Sequence, residues 1–321
     1  MTPTIDLKDR KILYELDRDS RQANKQIAHK VGLSEQVVGN RIKRLLDLKI
    51  IDYFYVKINP ATLGYMHIKI YLRLHNITKE KEDLLVQDLN SQPGVFWLAS
   101  LRGKYDLEVS IYVKNLSEFS QKYDELLGKW GEYILERNVV LLEKAYTYTK
   151  AYLVPLQKPE LFIYGEGKEI VSLDNIDFSL LHILSKEGRK SLVEIATQLK
   201  ISSDTIRYRI RHLQQKKVIT GFSVKLNFKN MGHNYHLILL KLQNMNKEKY
   251  AKLESLAKLN KNLIIYMKTL GDHDIELEVE TASKEELDLL LKSLRDNFVM
   301  EIKDYEIIEV INEYQMNYFP F

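Results

Sequence analysis

The chain has 321 residues, 45% of them apolar, and a net charge of +4. That suffices for roughly two to four compact cores. It contains no cysteine, which excludes disulfides, thiolate metal sites and cysteine nucleophiles and is compatible with a cytoplasmic location. No apolar run reaches spanning length, and the Met-Thr-Pro-Thr-Ile-Asp start is neither basic nor apolar, so a cytoplasmic protein without a membrane partner is expected. The modest charge permits nucleic-acid binding, and local basic patches matter more than the sum.

Residues 6–18 read as a first helix with Ile12, Leu13 and Leu16 inward. Residues 23–30 form a second, with Ile27, Ala28 and Val31 inward. Gly32 suits the positive φ of the tight turn that follows. Ser34 then caps a third helix, running to about Leu46 with Val38, Ile42 and Leu45 buried. Two helices joined by a short glycine turn are a helix-turn-helix signature. Residues 50–58 alternate and read as the hairpin wing of a winged domain.

A second pattern follows. Strands are expected at 66–74, 94–101, 105–113 and 133–148, with helices at 79–90 and 116–129. That β-α-β-β-α-β order is ferredoxin-like. In strand 105–113, Leu107, Val109, Ile111 and Val113 share one face, and Glu108, Ser110 and Tyr112 the other. Helices should cover the apolar face. The polar face could meet a partner sheet, provided its glutamates are neutralised.

Shifted by 168 residues, the chain matches itself without a gap. Asp9 falls on Asp177, Leu13 on Leu181, Arg21 on Arg189, Ser34 on Ser202, Arg41 on Arg209, Gly103 on Gly271 and Tyr146 on Tyr314. One unit is about 150 residues, a common domain size, so a whole unit has been duplicated in tandem. The expected organisation is a helix-turn-helix domain at 1–64, a ferredoxin-like domain at 65–153, a linker at 154–174, and the same pair again at 175–232 and 233–321. The linker could span roughly 65 Å at about 3.3 Å per residue. That is ample for the two copies to pair as an intrachain pseudo-dimer. Phe162-Ile163-Tyr164 is too apolar for a free tether and should dock.

The stretch 202–217 concentrates the functional signal. Ser202 is an N-cap, Ile206, Ile210 and Leu213 form a buried stripe, and five Lys/Arg accompany a single Asp. A short helix with a buried seam and a cationic, amide-bearing outer face suits the major groove of DNA. Its counterpart begins at Ser34.

These residues resemble the Lrp/AsnC (feast/famine) family of transcriptional regulators. The carriers are Asp9, Ile12-Leu13, Leu16, Arg21, Ile27-Ala28, Val31-Gly32-Leu33-Ser34, Arg41-Ile42 and Leu45 with their offset copies. Ile50-Ile51, Asn59-Pro60, Leu63-Gly64 and the Gly-x-x-Asp turns at 103–106 and 271–274 add to them. The resemblance implies an α+β chain in which two winged helix-turn-helix domains are each followed by a ferredoxin-like, RAM-type domain. It also implies double-stranded DNA as partner, pairing through the RAM domains, further homo-oligomerisation, and an amino-acid effector near the turns. The chain departs from the family in its double length. Lys200 replaces the turn glycine in copy two, where a left-handed non-glycine costs about 1 kcal/mol, so a reshaped turn is expected. Phe228 stands where copy one has Pro60.

The groove-facing candidates are Glu35, Gln36, Asn40, Lys43 and Arg44 in copy one, with Arg41 near the backbone. In copy two they are Ser203, Asp204, Arg207, Tyr208 and Arg211. Arg can bridge guanine and Asn or Gln adenine, while cations at helix ends hold phosphates. One copy could instead serve as scaffold only, and copy one has the less basic helix. Gly103, Asp106, Gly271 and Asp274 are the effector candidates. The other reading of these turns is structural, with Asp bonding the backbone. The histidines show no metal spacing, since His233 and His236 lie on opposite sides of a strand start. Gly165–Lys168 is not a phosphate loop. No nucleophile–base pattern or cofactor motif appears, and a non-enzyme is expected.

The main alternative is a sirohaem-decarboxylase-like enzyme, since those enzymes resemble paired or fused copies of this fold. Their site is expected to use His and Arg in the effector domain, and residues 97–101 carry no His. A third reading is an architectural DNA-binding protein.

Overall fold

The computed structural model describes residues 4–155, 159–165 and 169–321. The first three residues, part of the expected linker and most of Gly165–Lys168 lie outside the described residues. In chain order the first copy comprises α1 (Leu7–Arg18), α2 (Asn24–Val31), α3 (Glu35–Asp47), β1 (Ile51–Ile58), β2 (Met66–Leu74), α4 (Lys79–Ser91), β3 (Val95–Arg102), β4 (Leu107–Val113), α5 (Leu116–Trp130) and β5 (Ile134–Tyr148). A short strand, β6 (Leu161–Tyr164), follows. The second copy repeats the order as α6 (Asn175–Lys186), α7 (Leu192–Leu199), α8 (Ser203–Gln215), β7 (Ile219–Leu226), β8 (Asn234–Leu242), α9 (Lys247–Leu259), β9 (Leu263–Leu270), β10 (Ile275–Thr281), α10 (Lys284–Asn297) and β11 (Ile302–Met316).

Capping explains where the helices of the two helix-turn-helix units start. Asp6 and Asp174 cap α1 and α6, and Ser34 and Ser202 accept from Val37 N and Thr205 N at the starts of α3 and α8. The apolar stripes then pack as expected, with Ile12, Leu13, Leu16, Ile27, Val38, Ile42 and Leu45 in one core. The turn in copy two is not reshaped. Lys200 adopts φ 56, ψ 41, close to φ 66, ψ 54 at Gly32. The N–H groups of Lys200 and Ile201 still bond back to α7 carbonyls. Those bonds offset a left-handed cost of about 1 kcal/mol.

The strand expected to form a hairpin wing is present, but its partner is not local. β1 pairs antiparallel with β7 of the other copy, Phe54 opposite Val224 and Val56 opposite Phe222. The cause is physical: Ile51–Ile58 form a single strand with no hairpin turn inside it, its edge needs a mate, and the duplicated strand supplies it.

Each ferredoxin-like unit has strand order β5–β2–β4–β3 or β11–β8–β10–β9. The long strands β5 and β11 run past their own sheets. β5 pairs with β9 through Leu141–Thr147, and β11 pairs with β3 through Glu309–Met316. Eight antiparallel strands therefore close into a ring, which removes the open edges. β6 adds beside β5, with Phe162 opposite Thr147, so Phe162-Ile163-Tyr164 docks as expected. Both ends of the 154–174 segment also pack: Val154 lies in the first helical core, and Val171 and Leu173 lie against the second.

Alternation sets inside and outside. Leu107, Val109, Ile111 and Val113 meet Leu85 and Leu89 of α4 and Leu126 and Trp130 of α5. Ile275, Leu277 and Val279 meet α9 and α10 in the same way. The opposite faces line the barrel interior, where the glutamates find partners. Glu276 accepts from Lys69 at 2.5 Å and from Tyr71 at 2.6 Å. Glu278 accepts from Tyr235, and Glu280 from Lys150 and Tyr152.

Candidate nucleic-acid interface and the cavity beneath it

The recognition helices α3 and α8 carry the candidate groove residues outward. Glu35, Gln36, Asn40, Lys43 and Arg44 are exposed on α3. Asp204, Arg207, Tyr208 and Arg211 are exposed on α8, with Ser203 half-buried. Tyr208 is 68% exposed, a large ring held in water at the centre of a basic face. Arg207 is ion-paired to Asp204 one turn earlier, a surface pair worth at most about 1 kcal/mol and so easily exchanged for a phosphate.

Arg41 has a different role. Its guanidinium donates to Asp6 at 2.7 Å and to Asp9 at 2.8 Å, and Arg44 shares the buried Asp9. Hydrogen bonds to both carboxylates outweigh desolvation and raise the Arg41 pKa. Arg209 repeats the lock on Asp174 and Asp177. These arginines fix the recognition helix against the first helix, at α1–α3 and α6–α8. The conspicuous Asp9/Asp177 repeat is the other half of that lock.

A second clamp joins the copies. Arg21 donates to the carbonyls of Gly188 at 2.8 Å and Lys190 at 3.0 Å. Arg189 donates to Ser20 O at 2.6 Å and Asn24 Oδ1 at 3.0 Å. Each guanidinium also lies over a phenylalanine of the β1–β7 pair, Phe222 at 5.3 Å and Phe54 at 5.4 Å. A Cβ on Gly188 would stand 2.6 Å from Tyr55 N, so only glycine admits this approach. The internal match contained Arg21 and Arg189, but nothing local marked them as a cross-copy clamp.

The Gly-x-x-Asp turns are built into the barrel. Asp106 Oδ2 accepts from Leu74 N at 2.7 Å and Asp274 Oδ2 from Leu242 N at 2.6 Å. A Cβ on Gly271 would meet Val140 Cγ1 at 2.7 Å, and one on Gly103 would meet Ile307 O at 3.2 Å. Each turn therefore presses on the long strand of the other copy. Both glycines remain solvent-exposed.

Between the β1–β7 pair and the barrel lies a cavity of about 150 Å3. Sequence reasoning missed it, because its lining comes from both copies and from β6. Its histidine is His67, which bonds Ser110 Oγ at 3.2 Å and which burial and the neighbouring Lys69 keep neutral. His233 and His236 do not line it. Among the described residues, no group of three or more His, Asp or Glu is placed to hold a metal, and no helix is long and apolar enough to cross a membrane.

Comparison with known proteins decides the family. The AsnC-type helix-turn-helix domain matches at residues 5–46 and 173–214. The HTH-type transcriptional regulator FL11 of Pyrococcus abyssi is 34% identical over 122 residues, covering 38% of this chain and 79% of the relative. An uncharacterized HTH-type transcriptional regulator of Pyrococcus furiosus is 30% identical over 149 residues, covering 46% of this chain and 99% of the relative. The chain belongs to the Lrp/AsnC family. Such relatives correspond to one of its two copies, and it is a DNA-binding transcriptional regulator of that family in double-length form. Among solved structures, the siroheme decarboxylase NirDL superposes with a TM-score of 0.65 at 13% identity, covering 98% of this chain and 96% of its own. At that identity the likeness shows the shared two-copy fold alone.

Proposed function

We propose that this Lrp/AsnC chain is a sequence-specific regulator whose covalent pseudo-dimer presents two unequal recognition helices to a two-part operator. The observation that carries the reading is the cross-copy β1–β7 pair with its Arg21 and Arg189 clamps. These contacts hold both helix-turn-helix units in one fixed relation. In this reading Gln36, Asn40, Lys43 and Arg44 serve one half-site and Ser203, Arg207, Tyr208 and Arg211 the other. Glu35 and Asp204, at the first turns, discriminate against wrong bases or phosphates by repulsion. Half-site centres lie about one DNA turn, roughly 34 Å, or a multiple apart.

Selection on sheared genomic DNA at physiological salt tests this. An unequal two-part motif is expected, and a strictly palindromic one would sink the reading. Replacing Arg207 and Arg211 together by Ala should weaken binding and lower the salt slope by about 1.8, near 0.9 per phosphate contact. An unchanged slope removes α8 from the interface. Intrachain pairing takes the place of dimerisation, and light scattering reads any further assembly. An amino-acid effector at the turns would draw on their exposed backbone, because Asp106 and Asp274 already bond the chain. The Asp106→Asn variant, which keeps a carbonyl acceptor, should then retain any amino-acid response.

A regulator is favoured over a decarboxylase by the intact caps on both recognition helices and by the cavity. Among the described residues, no arginine lines the cavity to meet the carboxylates of a four-ring macrocycle.

A further inference from the structure

The two sides of the cavity are not equivalent. On one side Lys225 Nζ bonds the Glu313 carboxylate at 2.5 and 2.7 Å, and Trp97 Nε1 donates to Glu313 at 2.8 Å. The 168-residue offset turns Lys225 and Glu313 back into Lys57 and Ala145, and Trp97 forward into Ile265. The strand register is conserved across that offset: Ala145 lies opposite Met267 on β9 just as Glu313 lies opposite Ala99 on β3. Lys57 thus occupies the backbone position of a paired lysine, with a methyl group where its carboxylate should be. Its ammonium sits 3.7 Å from the centroid of the Phe162 ring on β6, a strand with no counterpart on the other side among the described residues. Among the described residues, Lys57 has no ion-pair partner. Burial pushes its pKa down to about 8.

The other charged groups lining the cavity have partners. Lys150 holds Glu280, Lys225 holds Glu313, Lys69 and Tyr235 hold Glu278, and Asp17 accepts from Ser223. Among the described residues, Lys57 is the lining cation without an ion pair, and Asp17 is the lining carboxylate without one, its oxygens held by the Ser223 hydroxyl and the Lys150 N–H; the walls include Ile265, Met267 and Phe162. A volume of about 150 Å3 is of the size that encloses a single benzene ring.

We propose that the cavity binds a small aromatic monocarboxylate, its carboxylate on Lys57 and its ring against this apolar wall. A zwitterionic amino acid is disfavoured there, since its ammonium would have to compete with the Ser223 and Lys150 donors that already hold Asp17, and would lose its hydration. The ligand would touch β1, the strand that joins the two helix-turn-helix units through β7. As a control of DNA binding, this rests on the regulator reading. Binding itself does not.

The test is calorimetric titration of the full chain, without DNA, with benzoate, benzamide and phenylalanine. Benzoate should bind at least tenfold more tightly than the other two. Lys57→Gln should remove that preference. Ala145→Glu recreates the pair of the other side, so it should fold normally, and it should abolish benzoate binding. Melting curves for both variants confirm folding. Absence of benzoate binding at millimolar concentration overturns the proposal, as does native-like benzoate binding by either folded variant. Because no DNA is present, failure of the regulator reading leaves this titration unaffected.

Discussion

Replacing Glu108 by Gln probes the charge balance inside the barrel. Lys69, a copy-one residue, faces three carboxyls: Glu276 at 2.5 Å, Glu108 at 3.0 Å and Glu278 at 3.5 Å. One cation cannot neutralise three buried anions. Burial, together with the neighbouring carboxylates, pushes Glu108 up to about 8 and Glu278 up to about 7. Glu276 is also buried, yet the Lys69 ammonium holds it below the ordinary carboxylate range. Below neutrality the cluster is thus one ion pair with protons retained on the other two carboxyls, and Glu278 gives up its proton before Glu108 as pH rises. A carboxyl whose pKa is higher folded than unfolded binds more protons in the native state. Its stabilising contribution is complete below the ordinary value of 4.5 and is lost as pH rises toward about 8. At about 1.36 kcal/mol per pH unit, Glu108 alone costs on the order of 3 kcal/mol between pH 6 and 8. Gln keeps an Oε1 that accepts from Ser110 and Lys69 and removes the titration. Urea unfolding at pH 6, 7 and 8, followed by Trp97 fluorescence in a Trp130→Phe background, reads the difference. The parent should lose stability steadily across that range, and the Gln variant should lose clearly less. Equal pH slopes in the two proteins would refute the charge assignment.

Three further outcomes are expected. Arg189→Ala strips Ser20 O and Asn24 Oδ1 of a charged donor, which should cost roughly 2–3 kcal/mol. It should speed hydrogen exchange in β1 and β7 by about thirtyfold or more, whereas unchanged exchange would show that the clamp is idle. Gly271→Ala should destabilise by about 1–3 kcal/mol through overpacking, and Gly103→Ala by less, because the first added methyl meets Val140 at 2.7 Å and the second meets Ile307 O at 3.2 Å. The reverse order in thermal melts would contradict the packing described at these turns. Lys200→Gly should stabilise the second helix-turn-helix by up to about 1 kcal/mol, and a lower melting point would mean that Lys200 contributes a contact beyond its backbone.

Much of the candidate interface was legible because its signals are local. Caps at Ser34 and Ser202, stripes repeating at three and four residues, and cationic positions between them all lie within one helix. Arg41 and Arg44 were exceptions among the candidates: their carboxylate partners Asp6 and Asp9 lie 32 to 35 residues away, beyond any helical period. The cavity was not legible at all, since Lys57 reads as one more strand lysine until Ala145 and Phe162 are placed around it.

The sequence by itself determined the duplication, the helix-turn-helix units and the β-α-β-β-α-β order, because each rests on periodicities of two or of three to four residues repeated at one offset. Tertiary structure alone decided where the strand edges pair. β1 found β7 instead of a hairpin mate, and β5 and β11 crossed to the opposite sheets. An open edge carries the same backbone donors and acceptors whichever strand covers it, so pattern cannot name the partner. The same closure placed Lys69 among glutamates of the other copy and left Lys57 facing a methyl group. A charge's partner depends on residues brought together across more than a hundred positions, and only the folded chain brings them together.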